Sequence, residues 1–292
     1  MKNIFLLLTL LSGVALFAED PVQVIRKQPR VYKPERYSVR DGVTISNQFC
    51  SYPLVFTLSK PVGEKPQRFA MDLMEKTNKN FVGGFFSLTV NGFKMGELDF
   101  EKEKITLWKD GTNSGMELDL NFDGTKFKLR LFMRPDSPVL WGILKYDKES
   151  VEPLEKATVD FQALPSLLRI INKKVMFNGS YHREMITPVK TYTHYSKWVK
   201  LTPQETSFIF QDKEFDGSSE KKGDGPCWLF VDQKGVSSAE AFVRNSWKIY
   251  LRFQLSKEFQ ELHFGIWHPA TRISNTELAE KIKKDPAAFT FK

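Results

Sequence analysis

The stretch 116–133 reads MELDLNFDGTKFKLRLFM. Met116, Leu118, Leu120 and Phe122 alternate with Glu117, Asp119 and Asn121. After Asp123-Gly124 the alternation resumes, with Phe127, Leu129, Leu131 and Met133 set against Lys126, Lys128 and Arg130. Successive side chains of a strand point to opposite faces, so each half reads as a strand with one apolar and one polar face. Asp-Gly suits a two-residue hairpin turn because it accepts positive φ. With that turn Phe122 faces Thr125, Leu120 faces Phe127 and Leu118 faces Leu129. The same register sets Asp119 opposite Lys128 and Glu117 opposite Arg130. Apolar meets apolar and acid meets base, which pins the register. It also places Lys126, Lys128 and Arg130 in a solvated charge ladder rather than in an anion site.

The same period of two recurs on both sides of the hairpin. Residues 43–46, 54–58, 139–144, 157–163, 207–210, 228–231, 239–243, 249–255 and 262–267 read as strands. Residues 85–90 do so too, between Gly83-Gly84 and the hairpin signal Asn91-Gly92. A helix is expected over 275–285. Ser274 and Glu277 have capping-box spacing, Leu278 and Ile282 share a face, and Lys281, Lys283 and Lys284 suit the last turns before Pro286. A weaker helix is expected over 68–76. These elements predict an all-β protein, a large antiparallel β-sandwich with one C-terminal helix. The expected division is a signal peptide at 1–18, an extended Pro/Arg-rich arm at 19–36 and a single sandwich domain at 37–292.

The chain has 292 residues, 41% apolar and 27% charged, which fits a folded globular protein and excludes a disordered or collagen-like one. Its mean hydropathy of −0.35 excludes a multi-span membrane protein. The start Met1-Lys2-Asn3, an apolar run over 4–17 and Ala18-Glu19-Asp20 describe a secretory signal peptide. That run is shorter than the ~20 residues of a comfortable membrane span, so no transmembrane anchor is expected after its removal. The expected location is periplasmic or secreted, and nucleic acid is excluded as a partner. The net charge of +8 suits an anionic envelope polymer as a partner, or simply a solvated surface. In an oxidising compartment Cys50 and Cys227 either close one disulfide or remain buried thiols. No Cys/His spacing matches a zinc site, so no metal is expected, and no cofactor is expected either.

The sequence lacks a Gly-x-Ser-x-Gly elbow, a phosphate-binding loop and a His-Glu-x-x-His motif. What it does contain is a local concentration of Tyr181, His182, Arg183 and Glu184, followed by Tyr192, His194, Tyr195 and Trp198. Aromatic rings cover the apolar face of a sugar, while Arg, Glu and His bond its hydroxyls. His182 or His194 with Glu184 can also supply acid/base chemistry. The bland alternative is a strand pair with aromatics in the core. A second candidate lies in 262–268, where His263, Gly265 and Trp267 share a face. Gly265 there predicts a dent suited to a ring-shaped ligand; the alternative is a plain solvent face. The polar stretch 211–226 reads as a mobile loop.

In architecture alone, a strand-rich exported chain with scattered His and aromatic residues resembles the large β-sandwiches of galactose-mutarotase-like and polysaccharide-lyase-like proteins. That resemblance implies a sugar-handling sandwich and assigns no residue a role. The leading expectation is noncatalytic carbohydrate binding through Tyr181, Arg183, Tyr192, Tyr195 and Trp198, with His263 and Trp267 as a second locus. The alternatives are a sugar-active enzyme (mutarotase, lyase or hydrolase) using His182, His194 and Glu184, and an envelope interaction module docking through the N-terminal arm.

Overall fold

The computed structural model describes residues 20–30, 37–59, 68–73, 80–81, 84–98, 104–171, 174–177, 182–195, 197–214, 225–244 and 247–292. In chain order the first strands are β1 (Gln23–Arg30), β2 (Tyr37–Ser46), β3 (Ser51–Ser59), β4 (Arg68–Leu73), β5 (Phe86–Val90), β6 (Phe93–Lys94) and β7 (Ile105–Asp110). Then come β8 (Asn113–Phe122), β9 (Thr125–Met133), β10 (Leu140–Tyr146), β11 (Ala157–Ala163), β12 (Leu168–Ile171), β13 (Lys174–Phe177) and β14 (Arg183–Ile186). The last are β15 (Thr191–Tyr192), β16 (Val199–Lys200), β17 (Ser207–Asp212), β18 (Cys227–Val231), β19 (Val236–Val243), β20 (Ile249–Leu255) and β21 (Glu261–Trp267), followed by helix α1 (Asn275–Lys284).

The β8–β9 hairpin forms in the expected register, with Leu118 opposite Leu129, Asp119 opposite Lys128 and Glu117 opposite Arg130. Its turn residues Asp123 and Gly124 have φ of 50° and 95°, and Asn91 and Gly92 repeat the pattern at 49° and 93°. Arg130 donates twice to one Glu117 oxygen, at 3.0 and 2.7 Å. Lys128 lies 3.1 Å from Glu117 and 3.6 Å from Asp119. Burial alone would raise the Glu117 pKa, but bonds from Arg130 and Lys128 bring it below the ordinary carboxylate value.

The architecture is all-β and antiparallel. A nine-stranded sheet runs β15-β14-β17-β18-β21-β10-β9-β8-β7, a six-stranded sheet β16-β19-β20-β11-β5-β6 and a four-stranded sheet β1-β2-β3-β4. The nine- and six-stranded sheets meet through aromatic side chains. Phe264 of β21 stacks on Phe86 of β5 at 5.7 Å and meets Phe161 of β11 edge-on at 5.1 Å. Gly142 of β10 leaves room for that ring, since a Cβ there would come within 2.1 Å of it. The four-stranded sheet adds to the core by packing β2 on β8 and β9, and β4 on β5.

The outer face of the nine-stranded sheet is covered by the chain's own end. Helix α1 has its capping box, Ser274 Oγ accepting from Glu277 N and Glu277 returning the bond to Ser274 N. Beyond it, Phe289 packs on Trp228 and Trp267 at 5.5 and 4.8 Å, and Phe291 on Trp141 and His263 at 5.4 and 4.1 Å. The Arg134 guanidinium holds this segment by donating to the carbonyls of Ala287, Ala288 and Thr290.

Some expectations change. The helix expected over 68–76 is strand β4 as far as Leu73: Phe69, Met71 and Leu73 are buried and alternate with half-buried Ala70 and Asp72, a period of two. The described part of the N-terminal arm is extended and forms β1, paired with β2. Cys50 and Cys227 are both buried thiols, with the Cys50 sulfur 3.7 Å from the His268 carbonyl. The expected signal peptide at 1–18, residues 74–76 and most of the expected loop, 215–224, lie outside the described residues.

Candidate functional site on the six-stranded sheet

Alternation in four neighbouring strands creates the site. In β11, Ala157, Val159, Phe161 and Ala163 enter the core, so Thr158, Asp160 and Gln162 face outward. In β20, Ile249, Leu251, Phe253 and Leu255 are buried and Tyr250, Arg252 and Gln254 face outward. β19 presents Ser238, Glu240 and Phe242, and β5 presents Ser87 and Thr89. Strand pairing aligns these side chains in rows. One row is Ser87-Asp160-Arg252-Glu240, the next Thr89-Thr158-Gln254-Ser238, and on the other side lies Gln162-Tyr250-Phe242.

The middle row is ionic. Arg252 donates to both Asp160 oxygens, at 2.8 and 3.4 Å, and this bond raises the guanidinium pKa. The same guanidinium lies 4.5 Å over the Trp198 ring. Trp198 in turn lies 5.7 Å from Phe242 and 6.4 Å from Tyr250, whose hydroxyl is pushed up in pKa by burial. Lys248 donates to Gln162 Oε1 at 2.9 Å, and burial lowers its ammonium pKa against the opposing field of Asp72. Asp160, Gln162, Trp198, Phe242, Tyr250 and Arg252 border a cleft of about 460 Å³. It offers a flat indole, a guanidinium, a carboxylate and a side-chain amide within one small space. Such a set suits a ligand with one apolar face and a rim of hydroxyls.

Of the residues expected from sequence, Trp198 belongs to this cleft. The others of its cluster are distributed elsewhere. Tyr181 lies outside the described residues. Arg183 is 1% exposed and serves as an internal tie, donating to the Pro165 carbonyl at 2.7 Å and to that of Trp247. Tyr192 is fully buried and donates to Glu205 at 2.7 Å; Tyr195 is half-buried beside it at 5.7 Å. Tyr192 and Arg183 are therefore structural, because internal acceptors already take their polar ends.

The expected acid/base pair does not form. Glu184 is buried on β14, accepting from Gln211 at 2.5 Å with Lys213 at 3.3 Å. His182 pairs instead with Glu214 at 3.2 Å, and His194 is exposed beyond β15. β14 lies in the nine-stranded sheet whereas Trp198 adjoins β16 of the six-stranded one, so the linear cluster is divided between sheets. His263, Gly265 and Trp267 do share a face, but the dent expected at Gly265 is filled. The Trp141 indole occupies the space over Gly265, where a Cβ would lie 2.6 Å from it. His263 stacks on Phe291 and Trp267 is buried under Phe289.

The sequence reading overlooked Asp160, Gln162, Phe242, Tyr250 and Arg252. The signal was present, since 157–163 and 249–255 read as alternating strands; following their polar faces finds all but Phe242. Among the described residues, no group of three or more His, Cys, Asp or Glu side chains could hold a metal, and no helix is long and apolar enough to cross a membrane.

No protein-family model and no curated protein matches the chain. Among solved structures it is similar to α-N-acetylgalactosaminidase NagBb from Bifidobacterium bifidum in complex with GalNAc, with a TM-score of 0.48 and 8% identity, over 92% of this chain and 38% of that one. The ligand-free NagBb structure gives 0.46 and 8%, over 89% and 38%. The chain thus spans well under half the length of NagBb. It is also similar to a putative aldose 1-epimerase from Klebsiella pneumoniae, with a TM-score of 0.45 and 9% identity, over 91% of this chain and 87% of that one.

Proposed function

We propose that the protein binds carbohydrate, without chemical turnover, in the cleft over the six-stranded sheet. The observation that carries this reading is the Trp198 indole standing beside the Arg252–Asp160 pair in a cleft of about 460 Å³. A sugar ring has an apolar C–H face and an equatorial belt of hydroxyls. Trp198 suits the first, while Asp160, Gln162 and Arg252 suit the second. Binding is preferred to catalysis because both Asp160 oxygens already accept from Arg252. The imidazole and carboxylate expected to act as acid and base do not converge there. The signal-peptide reading of residues 1–18 supports a periplasmic or secreted setting.

The test is binding of the purified chain to a panel of neutral and acidic polysaccharides at low and high salt, repeated with Trp198→Ala. Removing the indole is expected to weaken binding about tenfold or more, equivalent to ~1.4 kcal/mol, with unchanged circular dichroism. Equal binding by the folded variant would reject the site. Appearance of a chemically altered sugar on prolonged incubation would reject the noncatalytic part.

A further inference from the structure

We infer that the site extends beyond the Trp198 cleft and takes an acidic oligosaccharide laid along β11 and β20, an inference that rests on the carbohydrate reading above. A second depression, of about 370 Å³, adjoins the first and shares Asp160 and Arg252 with it. Its other walls include Thr89, Lys156, Thr158, Glu240 and Gln254. The two depressions follow one another along the strand direction, on either side of the Asp160–Arg252 pair. Gln162 borders one end and Lys156 the other, a separation of about 20 Å at ~3.3 Å per residue. One sugar ring fills only part of that length.

The floor is matched to hydroxyls throughout. Thr158 donates to Gln254 Oε1 at 2.9 Å and Gln254 donates to the Ala157 carbonyl at 2.7 Å, which fixes the amide in the groove wall. Charge is distributed unevenly. In the middle, Asp160 and Glu240 flank the single cation Arg252, which leaves one net negative charge there. At the ends, Arg244 borders the Trp198 cleft and Lys156 the far depression, and neither is ion-paired with a described carboxylate. A neutral chain leaves these cations without counterparts. An acidic chain sets a carboxylate or sulfate against each of these end cations while the hydroxyls of its central rings meet Asp160, Glu240 and Gln254.

The test is calorimetric titration of the full chain with galacturonate mono-, di-, tetra- and hexasaccharides. Neutral gluco-oligosaccharides and sulfated galactan oligosaccharides of matched length form the other arms. Affinity is expected to rise about tenfold or more from mono- to tetrasaccharide, to exceed that of the neutral series about tenfold, and to fall with added salt. Lys156→Met is expected to lower the ratio of tetrasaccharide to disaccharide affinity several-fold. The galacturonate and sulfated arms decide which anionic group is preferred, and tighter binding of either than of the neutral series supports the inference. Equal affinity for mono- and tetrasaccharides overturns it, as does equal affinity for neutral and acidic chains, or a Lys156→Met protein with an unchanged ratio. If short and long sugars of every series fail to bind, the carbohydrate reading itself is rejected along with its extension.

Discussion

The outer faces of the two large sheets are built by the same alternation and end differently. On the nine-stranded sheet, Trp141, Trp228, His263 and Trp267 form an aromatic floor that Phe289 and Phe291 close. On the six-stranded sheet, Trp198, Phe242 and Tyr250 remain at the border of an open groove, with Asp160 and Arg252 between the strands. Aromatic content is therefore a poor guide to which face stays open. The informative property is whether the chain returns to cover that face. The closed face buries its aromatics, and the open face presents Asp160, Gln162 and Arg252 in a cleft.

The largest expected effect lies on the closed face. Phe289→Ala removes the contacts with Trp228 and Trp267 and is expected to cost about 3 kcal/mol in urea unfolding, with a red-shifted tryptophan emission. A value near zero would mean that the face is not closed in solution. Gly265→Ala comes next. Its Cβ would meet the Trp141 ring at 2.6 Å and Val139 at 2.9 Å, so a loss of ~1–3 kcal/mol is expected from overpacking. Neutral behaviour in thermal unfolding would reopen the dent as a ligand site.

A smaller effect concerns a closed-in carboxylate. Burial raises the Glu205 pKa, but bonds from the Thr202 backbone, Tyr192 and Thr187 outweigh it and leave the pKa below the ordinary 4.5. A depressed folded pKa stabilises the protein above the unfolded value, and the contribution is lost as pH falls through the folded one. The stability advantage over Glu205→Gln should therefore hold near neutrality and shrink as pH falls below 4.5, read by urea unfolding across that range. An advantage that grew on acidification would contradict the assigned bonds.

The smallest stability effect belongs to the open face. The Asp160 and Arg252 side chains are 29% and 42% exposed, so their pair should contribute under ~1 kcal/mol in a double-mutant cycle. Arg252→Met should nevertheless lose most of the glycan binding. A large stability loss with binding retained would assign the pair to the framework and dissolve the contrast between the faces.

Much of the fold was legible in particular residues. Asp123-Gly124 and the alternating flanks set the β8–β9 register, and Ser274 with Glu277 marked the start of α1. β4 was misread because its six residues are too few to separate a period of two from a helical one. The short strands β14, β15 and β16, of four, two and two residues, carry almost no periodic signal. The site was legible in one residue, Trp198. Its supposed partners Arg183, Tyr192 and Glu184 are near it in sequence, yet their side chains end in internal bonds with Pro165, Glu205 and Gln211.

Local order came from the amino-acid pattern: strand period, turn chemistry, helix capping and the pairing of strands joined by a tight turn. These depend on neighbours in sequence, so periodicity and φ preference suffice to specify them. Long-range order did not. β21 lies between β10 and β18, β11 between β5 and β20, and residues 288–291 return over the nine-stranded sheet. Those arrangements join residues more than a hundred positions apart in several cases, and alternation says only which side chains share a face. Which face is buried depends on what the rest of the chain brings to it, and that left the groove over β11 and β20 open.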